Sequence, residues 1–328
     1  MRSHHAPTKN LLERFTFKDR HARSGRSIWI YEKGVRPRIS RDLRSECSEN
    51  GYFSGSPDGQ SEMTIESELN KKYEIPFNKL LSAMDCDLHI FESLDHKTAC
   101  AAFVSNLFHR SKARRAATGY MTQMLSDEFR ALASNESDLK TYAASLSLWA
   151  QRTIFLDELR VMVERQCEKL ETETARTETY LGNVEDSTEF MTQKLLALKF
   201  QILRSSNDVS FSISDTPVIS RLATGGGNYD IGVGINHPGV EWFLPISHSR
   251  CLRISDTLSN QSVLNDMQVL ELNKQQSLTM FRRMYSKQEL VILDQWVQEF
   301  SGHFKYVKDV YKPNRQETIL QHLLNENG

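Results

Sequence analysis

The sequence predicts an α+β fold: a helical middle region with a small, mostly antiparallel sheet built from N-terminal and C-terminal segments. Three observations predict it. A strand-like run, Ser27-Ile28-Trp29-Ile30-Tyr31, stands near the N-terminus. Apolar residues recur at helical spacing between residues 61 and 204. Apolar–polar alternation returns after residue 205, and helices resume near residue 260. A chain of 328 residues buries about 75% of its unfolded surface, so it folds without disulfide or metal staples. We read residues 1–328 as one α+β domain with a core over 3–290, a helical subregion at 61–204 and C-terminal helices at 286–328.

The elements follow in order. Lys33-Gly34 closes the first strand, and Gly51, Gly55 and Ser56-Pro57-Asp58-Gly59 mark a surface loop. Ile65 and Leu69 open a helix that Pro76 should break before Phe77, Leu80 and Leu81 start another turn. Cys100, Phe103, Val104, Leu107 and Phe108 make one buried stripe on a continuous helix over 94–115, with Ser93 or Asp95 as its cap. Tyr142, Leu146, Trp149, Leu156, Leu159 and Val163 predict one long helix whose solvated end is the polar run over 164–180. Met191, Leu195, Leu198 and Ile202 share a face of the next helix. Val209, Phe211 and Ile213 alternate with Ser210, Ser212 and Ser214, which predicts a strand with one buried face. Pro217 ends it, Val218 and Ile219 continue extended, and Thr224-Gly225-Gly226-Gly227-Asn228 is a loop. Glu241–Pro245 and Cys251–Ile254 are two strands joined by Ser247-His248-Ser249, and a last helix spans 288–300.

Composition excludes several classes. Hydrophobic residues are 39% and charged residues 25%, which rules out collagen, low-complexity disorder and a disulfide scaffold. The net charge of −1 excludes a uniformly basic nucleic-acid binder but not a local basic patch. The charge is uneven: residues 1–45 hold 12 Lys/Arg against 4 Asp/Glu, whereas residues 46–100 hold 4 against 11. Two faces that pair in the fold would explain this, and so would a basic segment that meets an anionic partner. The cysteines Cys47, Cys86, Cys100, Cys167 and Cys251 are odd in number and include no C-x-x-C pair. They argue against a disulfide framework and a zinc knuckle, and for buried thiols in a reduced, cytoplasmic protein. The start MRSHHAPTKN lacks the apolar core of a secretory signal, and no run approaches a membrane span.

Four places carry chemistry. His4-His5 precedes Leu11-Leu12, and histidine suits proton transfer or metal binding, although a frayed terminus gives the same pattern. Arg110, Arg114 and Arg115 close the 100–108 stripe. They are forks for phosphate or carboxylate, or a solvated helix end that complements the dipole. Asp215, after the alternating strand, is a base, a metal ligand, an Arg partner or a simple Asx-turn. The cluster GGGNYDIGVG lacks the Lys-Ser/Thr of a P-loop and reads as a hairpin or loop.

Taken in order, these pieces resemble a bacterial and phage family catalogued as domain of unknown function 4238. The resemblance rests on His4-His5-Ala6-Pro7 with Leu11 and Phe15, on Trp29-Ile30-Tyr31, on Glu46 with Tyr52-Phe53-Ser54, and on Glu66. It continues through Arg110 and Arg115, Ser214-Asp215-Thr216-Pro217-Val218 and Leu244-Pro245-Ile246-Ser247. It closes on Leu272-Asn273 and Arg282-Arg283-Met284-Tyr285-Ser286. Arg110 is followed by Ser111-Lys112 where the family pattern has Thr-Pro. The family has no established activity, so the resemblance implies residues rather than a reaction. It implies His4 and Asp215 as catalytic, and Arg110, Arg115 and Asn273 as phosphate- or substrate-binding. The leading expectation is a phosphodiester-directed hydrolase, a nuclease in phage defence or a toxin role. Its partner would be a nucleic acid or nucleotide, with a divalent metal as a compatible cofactor. The competing expectation is a non-catalytic binding or regulatory module in which the same Arg, Asp and His form a structural network.

Overall fold

The computed structural model describes residues 2–4, 7–46, 48–50, 67–86, 90–171, 173–206, 208–222, 237–259, 261–300 and 319. The N-terminal part runs β1 (Arg2–His4), α1 (Lys9–Leu12), a 3-10 turn (Glu13–Phe15), β2 (Phe17–Lys18), β3 (Arg26–Glu32), β4 (Val35–Ser40), α2 (Leu43–Glu46) and β5 (Ser48–Asn50). The helical part is α3 (Ile75–Cys86), α4 (Leu94–Arg110), α5 (Lys112–Ala133), α6 (Glu136–Ala150), α7 (Leu156–Glu171) and α8 (Glu173–Leu196). Then come β6 (Lys199–Ser205), β7 (Ile213–Ser214), β8 (Ile219–Leu222), β9 (Val240–Ser247), β10 (Arg250–Ser255) and β11 (Val263–Leu264). The chain continues through α9 (Asp266–Thr279), β12 (Arg283–Ser286) and α10 (Val291–Glu299).

The class is α+β, but the sheet is not one small unit. Five strands in the order β11-β6-β10-β9-β8 come wholly from the chain after α8. A second sheet, β2-β3-β12-β7 with β4 against β3, joins the two flanks. There Tyr31 faces Met284, and Met284 faces Ser214. β1 and β5 form a separate two-stranded ladder. Helices cover one face of the first sheet: Phe108 meets Trp242 edge-on at 5.3 Å, and Phe91 packs on Phe200 at 5.4 Å. Within the helical layer Phe103, 1% exposed, stacks on Phe77 at 3.8 Å.

Several expectations are corrected. The helix over 94–115 is two helices, because Ser111 adopts an extended ψ of 148° and its hydroxyl accepts the Arg114 N–H as the α5 cap. A serine that can bond its own backbone offers the chain this exit from the helix. Ser93 occupies the α4 cap position without a side-chain cap bond, and Phe108 is half-buried. Pro76 does not break its helix: a π turn over Asn70–Glu74 runs straight into α3. A π turn relieves the clash that proline makes with an ordinary α-helical carbonyl. The long helix over 142–163 is α6 and α7, separated at Gln151, whose φ is 53°. Trp149 and Leu156 are seven residues apart in sequence, the spacing of two helical turns, so the sequence pattern does not reveal the break. Trp149 itself is 69% exposed. Ile202 lies in β6 rather than on the helix of Met191 and Leu195. In the serine-rich strand only Ile213–Ser214 pair as β7, and Ser210, Ser212 and Ser214 are buried like their apolar neighbours. The loops expected at 51–59 and 224–228 lie outside the described residues.

Candidate functional site

The expected site residues fall on different elements of the structure. His4 sits in β1, where its backbone faces Ser48 of β5. That ladder is distinct from the sheet that leads to Asp215, and the side chains of His4 and His5 lie outside the described residues. Arg110 does not project into a cleft. Its side chain is fully buried and its Nη1 donates to Glu74 Oε1 at 2.7 Å. Arg115 is half-buried in the first turn of α5, where its backbone N–H donates to the Ser111 carbonyl at 3.1 Å. Arg114, not Arg115, lies over the Phe108 ring, 3.9 Å from its centre.

Asp215 and Asn273 are also built into the fold. Asp215 makes no Asx-turn. Its carboxylate accepts the backbone N–H groups of Phe281 and Arg282, both at 2.8 Å, and of Arg283 at 3.0 Å. Burial outweighs these three donors and pushes its pKa up to about 6. Asn273 on α9 bonds the chain opposite it on both sides: Nδ2 donates to the Ser210 carbonyl at 2.9 Å and Oδ1 accepts the Ser212 N–H at 2.8 Å. Gln276, one helical turn on, accepts from the Ser214 N–H and donates to the Pro217 carbonyl.

The turn that Asp215 caps presents two arginines to two acids. Arg283 Nε donates to Glu32 at 3.0 Å and its Nη1 to Glu46 at 3.1 Å, while Arg282 also bonds Glu32. The Ser40 hydroxyl donates to Glu46 at 2.7 Å. Burial works against the Glu32 charge, but the Arg282 and Arg283 guanidinium groups hold its carboxyl below the ordinary value. Both acids are engaged by side chains of their own chain.

A different place combines open space with charge. A cleft of about 760 Å³ opens between the 3-10 turn, the β2–β3 pair, α3 and the β9–β10 hairpin. Helix α3 presents Asn78, Leu81, Ser82 and Asp85 to it, a single face at spacings of three and four. His248 sits in the two-residue hairpin link. Its backbone N–H and its Nδ1 both approach the Arg14 carbonyl, at 3.3 Å and 3.1 Å. A carbonyl only accepts, so Nδ1 carries the proton and Nε2 keeps its lone pair. That lone pair accepts from Lys287 Nζ at 3.0 Å. Burial first, then the Lys287 and Arg14 charges, lower the His248 pKa below its ordinary value. Asp85 Oδ1 accepts from Arg14 at 2.5 Å and from Arg250 Nε at 3.1 Å. The β9–β10 register shifts between Arg250 and Cys251, next to this ion pair. Arg250 Nη1 and Asn78 Oδ1, in two residues that line the cleft, are buried without a hydrogen-bond partner. Among the described residues, no group of three or more His, Cys, Asp or Glu is placed to hold a metal ion.

Residues 3–304 match the family model described as "Protein of unknown function (DUF4238)". The chain belongs to the DUF4238 family. No curated protein and no solved structure matches this DUF4238 protein. The match spans both the sheet that Asp215 supports and the His248 cleft. Sequence reasoning missed Glu32, Glu74, Arg14, Arg250 and Lys287, and took His248 as a mere link. The one signal for the cleft was the basic excess over residues 1–45, which supplies Arg14, Lys18 and Arg26.

Proposed function

We propose that this DUF4238 protein is phosphodiester-directed and that its ligand, a nucleic acid or nucleotide, seats in the His248 cleft. One observation carries the reading. Arg14, Lys18, Arg26, Arg250 and Lys287 all line the cleft, against only Glu13 and Asp85, a balance of 5 − 2 = +3 with His248 neutral. Lys18 and Arg26 stand directly opposite each other in the β2–β3 pair, and both are exposed. Like charges in that position destabilise a ladder, and an anion between them relieves the repulsion. Phosphate suits the remaining donors, since an Arg fork and a Lys point charge are its usual partners.

The competing expectation, a structural Arg/Asp/His network, is favoured for Arg110, Asp215 and Asn273, whose polar groups serve the fold. The proposal therefore keeps the phosphate partner and assigns it to other residues. Fluorescence anisotropy with labelled RNA and DNA oligonucleotides and a mononucleotide tests it. Binding that weakens steeply with added salt is expected, because phosphate contacts release counterions. No binding to any of the three at low salt would overturn the reading.

A further inference from the structure

We infer that His248 and Lys287 cleave RNA in this cleft, with the strand's own 2′-hydroxyl as nucleophile. The inference rests on the phosphodiester reading and adds the reaction to it. Three features of the geometry carry it. The Arg14 carbonyl fixes the His248 tautomer, so Nε2 is the basic atom. Nε2 is within hydrogen-bond reach of the Lys287 ammonium, at 3.0 Å, and both residues line the cleft. The ring is half-buried, and the charges that act on it are the cations Lys287 and Arg14 against the one acid Asp85, so burial first and then charge favour a neutral imidazole.

A bound phosphate gives the Lys287 ammonium a better acceptor than Nε2, and its transfer frees the lone pair. Nε2 then takes the proton of the 2′-hydroxyl. The O2′–P bond forms, the P–O5′ bond breaks, and Lys287 neutralises charge on the phosphoryl oxygens. The leaving O5′ takes a proton from water, and the resulting hydroxide takes the proton from the imidazolium. Nothing is oxidised or reduced, and no water is consumed overall. The ends are a 2′,3′-cyclic phosphate and a 5′-hydroxyl. RNA is the substrate class because it brings the nucleophile that one base can activate.

The test uses the full chain in EDTA with an end-labelled single-stranded RNA. A 2′-O-methyl copy serves as the binding probe that cannot react. Wild type should cut the RNA to cyclic-phosphate ends and bind the 2′-O-methyl strand without cutting it. His248→Gln should slow cleavage at least about a hundredfold while its affinity for the 2′-O-methyl strand and its melting temperature stay near wild type. The wild-type rate should rise with pH to a plateau, with a midpoint below the ordinary histidine value of 6.5, and the limb should vanish in His248→Gln. Binding without cleavage, equal cleavage by His248→Gln, cleavage only with added divalent metal, or equal cleavage of DNA would each overturn the inference while leaving the binding reading intact. No binding of the 2′-O-methyl strand would overturn the binding reading itself.

Discussion

Asp215 is an ionisable residue whose hydrogen bonds serve the fold. It follows a buried strand, it is ionisable and its pKa is raised to about 6. Yet every bond it makes holds the backbone turn over 281–283. Asp215→Ala removes the acceptor of three part-buried backbone N–H donors and should cost about 2–4 kcal/mol, read by chemical denaturation. The folded state keeps the Asp215 proton to higher pH than the unfolded chain does. Below 3.8 both states are protonated, and from there to about 6 the unfolded chain binds fewer protons. Stability contributed by Asp215 therefore falls as pH rises through that window. Wild type minus Asp215→Asn, followed from pH 4 to pH 7, should show this fall, and a rise would contradict the assignment. Arg110 makes the same point in a helix. Arg110→Ala should cost about 3–5 kcal/mol by leaving the Glu74 charge alone in the interior. RNA affinity per folded molecule should be unchanged, which separates it from the cleft residues.

The same logic holds for elements. Helix α9 is tied to the extended segment over 210–217 by two carboxamides one turn apart, Asn273 and Gln276. Asn273→Ala leaves the Ser212 N–H and the Ser210 carbonyl buried without partners, a cost of about 2–4 kcal/mol. A melting temperature unchanged from wild type would reject that staple. How far the elements could be read from sequence follows from their periods. Arg26–Glu32 and the β9–β10 hairpin were legible, because short apolar runs bounded by glycine or polar turn residues mark buried strands. Phe103 and Leu107 were legible as core from a single stripe. Breaks across which the helical spacing continues in the sequence were not, as at Gln151, and neither was a one-residue cap such as Ser111, since serine is common inside helices too. The buried serines over 210–214 were unreadable because their partners, Asn273 and Gln276, come some sixty residues later.

Over the whole molecule, the charge asymmetry of the sequence resolves into two uses. Part of the basic N-terminal stretch pairs with the acidic stretch after it, through Arg14–Asp85 at 2.5 Å and Arg38–Glu46 at 3.8 Å. Another part, Lys18 and Arg26, faces the cleft. The cleft was beyond sequence reading because its parts lie far apart in the chain: His248 and Arg14 are 234 residues apart, and no local motif encodes such a pairing. Whether this cleft holds phosphate is decided by Lys18→Glu. The substitution turns a repulsive cross-strand pair with Arg26 into an attractive one. We expect a melting temperature equal to or above that of wild type. We also expect weaker binding of single-stranded RNA, with a log–log salt slope shallower by about 0.7 for each phosphate that the variant no longer neutralises. RNA affinity and salt slope equal to those of wild type, in a protein that melts normally, would remove phosphate from the cleft.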